Sequence, residues 1–222
     1  MCGRFALTLP TDAVAGWFDA THVTASFDTP RYNICPTLDI PVAVTHDGAR
    51  HLVPMRWGFI PNWYKAPNDG PMLINARAET IAEKPAFRAA VRSRRCLIPA
   101  DGFYEWHREK GKGKEPWYIY PAQGDLMAFA GIWQVWTGAE GQRSVTCAMV
   151  TTQAGPDIAE VHHREPVTIQ PKDFGLWLGE EGKGAASLLH AADPRFFARH
   201  RVGLQVNSGR VDSPDLRDPV VD

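Results

Sequence analysis

Runs of aromatic and β-branched residues dominate the middle of the chain and alternate with turn residues. Four stretches show this pattern and predict β-strands: CLIPADGFYEW, EPWYIYP, LMAFAGIWQVW and SVTCAMVTT. Glycine (19 residues) and proline (18 residues) recur evenly along the chain, which is typical of short strands joined by turns. The pattern therefore predicts an α+β fold built mainly on antiparallel strands.

Helical spacing is limited to short segments. Thr11 and Asp12 are predicted to cap a helix whose apolar face carries Val14, Trp17 and Phe18. Further short helices are predicted in IAEKPAFRAAVRSRR, PDIAEVHH and PKDFGLWLG, and a last strand in GLQVNSGRVDSP. Because no repeat, low-complexity segment or clean linker divides the chain, we expect one domain over residues 1–222.

Composition narrows the possible environments of the protein. The formal net charge of −1 argues against a protein coated in positive charge, but it leaves room for a local basic channel. No apolar run approaches the roughly 20 residues of a membrane helix, and no secretory signal precedes the domain. The four cysteines have neither CxxC nor zinc-site spacing, so we expect a cytoplasmic protein without a structural metal.

The N-terminal sequence MCGRF places a cysteine at position 2. A small second residue normally permits removal of the initiator methionine, so we expect Met1 to be removed and Cys2 to become the first residue. Its thiol and α-amine, with reference pKa values of about 8.5 and roughly 7.7–8.0, then share one carbon. Such a 1,2-aminothiol can act as an acyl-transfer nucleophile or condense with an aldehyde to a thiazolidine ring. The alternative role is that of a small buried residue beginning a strand.

Polar residues in apolar or strand-like surroundings are the candidates for chemistry. Glu105 shares a predicted strand face with Phe103, and a carboxyl group among apolar neighbours acquires a raised pKa that suits acid–base catalysis. His162 titrates in a range suited to proton transfer. Asn75 and Arg77 share a strand face, where an amide can orient a nucleophile and a guanidinium can clamp a phosphate. A solvated surface or turn position is the alternative for each of these residues.

Aromatic and basic residues add a nucleic-acid signal. Trp63 and Tyr64 are predicted to form a stacking platform for the bases of a single strand. Arg4, Arg77 and Arg164 are candidates for neutralising adjacent phosphates. Because eight tryptophans in one chain mostly reflect core packing, the core is the alternative place for Trp63.

Several of these segments, taken in chain order, resemble a single family. They are MCGRF, RYNICPT, RWGFIPNW, INARAET, CLIPADGFYEW, VHHREPVTI and VNSGRVDSP, and they extend from Cys2 to about Pro214. The combination resembles the SRAP family, the SOS response-associated peptidases, also called abasic-site processing proteins. The resemblance implies one SRAP-type domain in which antiparallel strands form a barrel-like core flanked by short helices.

The resemblance also implies a function. Members of the family bind single-stranded DNA, often near a junction with duplex, and cross-link covalently to abasic sites through the N-terminal cysteine. The positions matching the family's catalytic residues are Cys2, Asn75, Glu105 and His162. The positions matching its DNA contacts are Arg4, Asn33, Pro36, Trp63, Tyr64, Arg77 and Arg164. A peptidase activity that releases the residue before the cysteine is implied as well, in a monomeric protein that joins the nucleoid when on DNA.

The chemistry of these residues agrees with that expectation. A ring-opened abasic site carries a sugar aldehyde, which the Cys2 amine attacks to give an imine and water before the sulfur closes the thiazolidine. Glu105 is the expected proton shuttle, His162 the group that assists opening of the sugar ring, and Asn75 the group that holds Cys2. Without ring closure the imine permits β-elimination, so a weak lyase activity is expected. No metal or organic cofactor is needed.

Two other functions fit part of the sequence. N-terminal-nucleophile glutamine amidotransferases also begin with MCG, but their usual CGI, HTR-like motif and Asn-Gly pair are missing, and 222 residues leave no room for a synthase domain. The second alternative is a non-catalytic module that binds single strands through aromatic and arginine side chains. That module gives Cys2, Glu105 and His162 no role. Denaturing gels with abasic DNA distinguish the two functions, because only a covalent adduct survives denaturation.

Overall fold

The computed structural model describes residues 2–24, 26–108, 111 and 113–220, and strands account for most of its regular structure. Within these residues the strands are, in chain order, β1 (Phe5–Leu7), β2 (Ala20–Val23), β3 (Arg31–Ile34), β4 (Asp39–His46), β5 (Ala49–Trp57), β6 (Asn75–Arg77), β7 (Arg95–Ala100), β8 (Gly102–Arg108), β9 (Lys114–Pro121), β10 (Met127–Thr137), β11 (Arg143–Gln153), β12 (Arg164–Pro166), β13 (Thr168–Ile169) and β14 (Phe197–Arg201). The four stretches predicted as strands are confirmed as β7 to β11.

Helices are short and lie between the strands. They are α1 (Thr11–Trp17), α2 (Arg88–Ser93) and α3 (Phe174–Leu178). Short 3-10 turns occur at Pro171–Asp173, Ala185–Leu188, Leu204–Asn207 and Pro214–Arg217. No helix in the described part of the chain is long and apolar enough to cross a membrane.

Five strands close into a barrel. The ring runs through β11, β10, β7, β4 and β5 by antiparallel pairing. It is completed by a parallel pairing between β5 and β11, in which Arg56 lies opposite Thr146 and Trp57 lies opposite Cys147. Closure satisfies the strand edges within the ring and encloses an apolar interior. The predicted α+β fold with a barrel-like core is confirmed.

A second sheet of five strands, in the order β14, β9, β8, β1 and β3, packs beside the barrel. On β8, Phe103 faces the main core, with its ring centroid 5.8 Å from that of Phe129. Tyr104 faces the other side, where it packs against Tyr118. Because side chains alternate along a strand, the next residue, Glu105, returns to the face that Phe103 occupies. Trp106 packs with Tyr104 in the smaller cluster, which leaves Glu105 on the opposite face with Phe103, as predicted.

Helix α1 forms where it was predicted, but without the predicted caps. Pro10 is the residue that precedes it. The Thr11 hydroxyl oxygen accepts a hydrogen bond from the backbone N–H of Phe27, and the Asp12 carboxylate accepts one from the N–H of Ala13. A helix this short is stabilised mainly by burial of its apolar face, so the capping prediction is wrong while the helix itself is confirmed.

The segment PDIAEVHH, predicted as a helix, forms a series of turns instead. The N–H groups of Ile158 and Ala159 both donate to the carbonyl of Gly155, and the N–H of His162 donates to the carbonyl of Ile158. The N–H of Gly155 is held at 2.7 Å by the buried carboxylate of Glu165. This anchor fixes where the turns begin, at a point set by β12 rather than by helical spacing.

The predicted C-terminal strand is also wrong, because residues 204–212 form a strap across the second sheet. The Arg4 guanidinium donates to the carbonyl of Val206 at 2.7 Å. The side-chain amide of Asn33 donates to the carbonyls of Ser208 and Val211 at 3.0 and 2.7 Å. Carbonyl groups that a strand ladder would use are therefore taken by side chains.

Candidate active site

Cys2 lies just before β1, at the end of the second sheet that carries Glu105. Phe5 pairs with Phe103, and the N–H of Tyr104 donates to the carbonyl of Arg4 at 2.9 Å. Continuing this antiparallel register brings Cys2 level with the residues that follow Tyr104 on β8. Cys2 is 1% exposed and Glu105 is 3% exposed. Met1 lies outside the described residues, so its expected removal stays a prediction.

Asn75 holds the backbone of Cys2. It lies on β6, which pairs in parallel with β11 and places Asn75 opposite Met149. Its side-chain amide donates to the Cys2 carbonyl at 2.9 Å. Its amide oxygen is buried and, among the described residues, has no hydrogen-bond partner. The Asn75 side chain therefore binds Cys2 through its NH₂ group and keeps its oxygen free to accept a further hydrogen bond.

His162 reaches Glu105 from the last of the turns that precede β12. Its Nδ1 lies 3.8 Å from Oε1 of Glu105, 3.0 Å from the backbone nitrogen of Arg164 and 3.1 Å from the carbonyl oxygen of Arg164. The tautomer of the neutral ring decides whether Nδ1 accepts from that N–H or donates to that carbonyl. The structure therefore brings together the four side chains predicted to be catalytic, although they come from four separate segments of the chain.

Burial sets the protonation of these groups. It raises the pKa of the Cys2 thiol, and the neighbouring charge of Glu105 raises it further. Burial also raises the pKa of the Glu105 carboxyl and lowers the pKa of His162. This environment therefore shifts the Cys2 thiol and the Glu105 carboxyl toward their protonated forms, and His162 toward its neutral form.

A cavity of about 710 Å³ opens beside Glu105. Its other walls come from β8, β9, the turns before β12 and β6, namely Arg77, Trp106, His107, Arg108, Lys114, Ala159, Glu160, Val161, His162 and His163. Arg108 ends β8 and Lys114 begins β9, on either side of the charged hairpin tip between these strands. Glu109, Lys110 and Lys112 of that tip lie outside the described residues.

A second, more apolar cavity of about 550 Å³ shares Arg77 as a wall. Trp63 lines it and is 58% exposed, and the Tyr64 ring packs edge-on against Trp63 at 6.3 Å. Trp63 and Arg77 are therefore accessible, as a DNA contact requires. Asn75 also lines this cavity, so the two cavities meet at the residues of β6.

Other predicted DNA contacts are used inside the protein. Arg4 donates to the Asn33 side chain and to the strap at Val206, both at 2.7 Å, and its guanidinium lies 5.9 Å from the Trp106 ring. Asn33 is only 4% exposed. Pro36 is half-buried and lines neither of the two cavities. Arg4 and Asn33 hold the strap against the second sheet, and the DNA contacts of Arg4, Asn33 and Pro36 stay predictions.

Arg164 is also engaged within the fold. Its guanidinium makes a two-pronged ion pair with Glu79, at 2.6 and 3.0 Å, and donates to the Thr151 carbonyl at 2.6 Å. The residue is 8% exposed. Arg164 therefore links β12 to β11 and to the segment after β6, next to His162. This geometry does not favour the predicted phosphate contact.

Replacing Arg164 by methionine is expected to lower the free energy of unfolding by about 2 kcal/mol, because charge-assisted hydrogen bonds are lost from a buried site. The salt dependence of DNA binding is expected to stay unchanged. Urea denaturation and titrations at several salt concentrations measure the two effects. Arg143→Met, at an exposed position of β11, is the matched control. A shallower salt dependence with normal stability would instead assign Arg164 to the DNA.

Three residues of the first cavity escaped the sequence analysis. His163 packs against His162, with ring centroids 4.4 Å apart, and Arg108 and Lys114 lie at facing ends of β8 and β9. The signal for the last two was the continuation of the strand pattern into the charged hairpin. Within the described part of the chain, no group of three or more His, Cys, Asp or Glu side chains is arranged to hold a metal ion.

Known proteins are similar to this chain in sequence and in fold. The chain is 36% identical to the abasic site processing protein YoqW of Bacillus subtilis over 97% of this chain and 98% of that protein. It is 30% identical to the abasic site processing protein YedK of Escherichia coli, over 99% and 100% of the two chains. A crystal structure of a protein from Bacteroides thetaiotaomicron shares the fold, with a TM-score of 0.87, 23% identity and coverage of 99% and 100%.

The family suggested by the sequence motifs is confirmed, and it replaces the glutamine amidotransferase alternative. The model of the family described as SOS response associated peptidase (SRAP) matches residues 1–209, and the chain belongs to this family.

Proposed function

We propose that this protein processes abasic sites in DNA by binding single-stranded DNA and linking Cys2 covalently to the ring-opened sugar. The observation that carries the proposal is the convergence on Cys2: Asn75 holds its carbonyl at 2.9 Å, and the buried Glu105 lies beside it with His162 at 3.8 Å. Relatives that are named abasic site processing proteins support the substrate.

The reaction begins at the α-amine that removal of Met1 would free. The Asn75 amide oxygen lacks a hydrogen-bond partner among the described residues, and its proposed role is to accept a hydrogen bond from that amine. The amine nitrogen attacks the aldehyde carbon, and the carbonyl oxygen becomes a hydroxyl group. Glu105, whose pKa is raised by burial, donates a proton so that the hydroxyl leaves as water and an iminium forms.

Ring closure then uses the same carboxyl group in the opposite sense. The Cys2 sulfur adds to the iminium carbon, the electron pair of the C=N bond returns to nitrogen, and the thiol proton passes to the Glu105 carboxylate. Because burial raises the pKa of the thiol, this step needs a base in contact, which Glu105 becomes after the first step. The cycle releases one water and restores the proton on Glu105.

His162 has a proposed role on the sugar. Burial lowers the pKa of His162 and so favours its neutral form, in which one ring nitrogen can accept the proton of the anomeric hydroxyl group as the C–O bond to the ring oxygen breaks. The imidazolium then gives that proton to the released oxygen, which leaves an aldehyde, a hydroxyl group and a neutral imidazole. A weak lyase activity is proposed for iminium that loses a proton before the ring closes. Release of the residue before Cys2 is proposed to use the same groups, since Asn75 and Glu105 both adjoin Cys2.

DNA is proposed to lie along the two cavities that meet at Arg77. Arg77→Ala is expected to make the salt dependence of single-strand binding shallower by about one counterion. Trp63→Ala is expected to weaken binding by about 1–3 kcal/mol if a base stacks on the exposed ring. Fluorescence titrations at several salt concentrations measure both, with Arg143→Ala as the control. Unchanged binding in both variants would place the DNA elsewhere.

Intact mass spectrometry tests the function itself. The protein is measured before and after exposure to a single-stranded oligonucleotide with one abasic site, and to the undamaged strand as control. A covalent adduct with the abasic strand alone, equal to the sum of the two masses less one water, is expected. Non-covalent binding without any adduct would favour the simple single-strand-binding module. Repeating the reaction with the abasic site at a duplex junction tests the proposed junction preference.

A further inference from the structure

The cavity beside Glu105 carries an excess of positive charge. Arg77, Arg108 and Lys114 line it and are exposed, and within the described ranges none of the three forms an ion pair with a carboxylate. The acidic side chains that line the cavity neutralise little of this positive charge. Glu160 is paired with Arg199, and burial shifts Glu105 toward its neutral form by raising its pKa. Three cations around a concave site favour a phosphate group.

Cys2 is not among the residues that line this cavity, and Glu105 is the wall residue that adjoins it. The aminothiol proposed at Cys2 would meet an aldehyde, and the three cations would meet a phosphate. An abasic site presents one aldehyde with phosphates on the same sugar, and the rest of the DNA strand must extend beyond a cavity of about 710 Å³. A free aldose phosphate carries the same two groups on a short carbon chain. The shortest of these molecules cannot close into a sugar ring, so their carbonyl group stays available to an amine.

We propose that the site also captures free aldose phosphates as thiazolidines on Cys2, with the phosphate held by Arg77, Arg108 and Lys114. The inference rests on the aminothiol chemistry of the proposed function. One C–N bond and one C–S bond form at the aldehyde carbon, and its oxygen leaves as water with one hydrogen from the amine and one from the thiol. No oxidation or reduction occurs and no further reactant is required.

Capture of a small aldehyde has a direct effect on the main reaction. The amine and the sulfur of Cys2 are both consumed in the thiazolidine, so a protein that carries one has no group left for an abasic site. Aldose phosphates are therefore expected to compete with abasic DNA, and the level of free aldose phosphate would set the fraction of protein available for DNA.

The test uses the full chain with Met1 removed and two matched probes, glyceraldehyde 3-phosphate and glyceraldehyde. Intact mass spectrometry follows the gain of one probe less one water, and peptide mapping locates it. Each rate is divided by the rate of the same probe with free cysteine, which removes the intrinsic reactivity of the aldehyde. After this correction the phosphorylated probe is expected to react about tenfold faster or more, because the cations raise its local concentration.

Variants of the cavity's cations distinguish phosphate binding in the cavity from the ordinary reactivity of an aminothiol. Lys114→Gln and Arg108→Gln are expected to slow the phosphorylated probe about threefold or more each while leaving glyceraldehyde unaffected. Lys183→Gln, an exposed lysine outside the cavity, is the matched control and should change neither rate. Equal corrected rates for the two probes, or equal rates in folded and urea-unfolded protein, would overturn the proposal.

A parallel reaction with abasic DNA distinguishes failure of the aldose phosphate proposal from failure of the proposed function. If the same preparation cross-links an abasic oligonucleotide but shows no preference for the phosphorylated probe, the capture of aldose phosphates is wrong and the proposed function stands. If neither the oligonucleotide nor either aldehyde forms an adduct, the aminothiol chemistry at Cys2 is wrong and both proposals fall. Preincubation with glyceraldehyde 3-phosphate should lower the yield of DNA adduct in proportion to the captured fraction.

Discussion

Cys2→Ala is expected to abolish the heat-stable link between the protein and abasic DNA. The alanine variant keeps an α-amine, so an imine can still form, but without sulfur the ring cannot close and the imine hydrolyses. Denaturing gels after heating measure the stable adduct, and a parallel sample reduced with borohydride traps the imine. We expect no heat-stable band, a borohydride-dependent band, and some cleavage of the strand by β-elimination.

Cys35→Ala is the matched control, because Cys35 is a partly buried free cysteine whose thiol donates to the carbonyl of Asn33 rather than to any of the four convergent residues. It should give the adduct yield of the unaltered protein. A heat-stable adduct at full yield from Cys2→Ala would show that another residue forms the bond, and the thiazolidine mechanism would then be wrong.

Glu105→Gln is expected to slow both formation and reversal of the cross-link by about 10²–10⁴-fold, the usual contribution of a positioned general acid–base group. The amide keeps the shape of the side chain but cannot give a proton to the leaving water and take one back from the thiol. Single-turnover rates in both directions measure the loss. Affinity for undamaged single strands should stay close to that of the unaltered protein, which distinguishes a chemical role from a binding role.

The same substitution is expected to stabilise the fold at neutral pH. Burial raises the folded-state pKa of Glu105 above its unfolded value of about 4.3. The contribution of this group to stability is therefore complete below the unfolded pKa and is lost as the pH rises through the folded pKa. Urea denaturation should show Glu105→Gln more stable at pH 7, on the order of 1 kcal/mol, and the difference should vanish below about pH 4. If Glu105→Gln shows the reaction rates and the stability of the unaltered protein, Glu105 has no catalytic role and is only a polar residue of the strand.

Local patterns were sufficient for the central strands because the preference for extended structure lies in the side chains of each strand. The aromatic and β-branched residues of β9 and β10 have both the propensity and the alternation of half-buried strands. The turns before β12 and the strap were mispredicted because partners that helical or strand spacing does not reveal decide them. Gly155 is fixed by Glu165, 10 residues further along the chain, and the carbonyl of Val206 is bound by Arg4 across 202 residues.

The site was predicted less completely than the strands. The resemblance supplied the positions Cys2, Asn75, Glu105 and His162, but no local pattern shows that they meet. Their convergence depends on the pairing of β6 with β11 and on the register of β1 with β8. The role of Arg164 was assigned to DNA because an arginine's partner, here Glu79 at a separation of 85 residues, cannot be identified from composition or spacing.

The strap determines when, during synthesis, the segment that carries Cys2 can be anchored. Arg4, two residues after the nucleophile, is tied to Val206 across a separation of 202 residues, and Asn33 is tied to Val211 across 178. While residues 204–212 are still inside the ribosome these bonds cannot form, and the segment that carries Cys2 lacks its anchor. Cys2 is therefore expected to take up its folded position only after the strap has emerged, however early in synthesis β1 and β8 are available to pair.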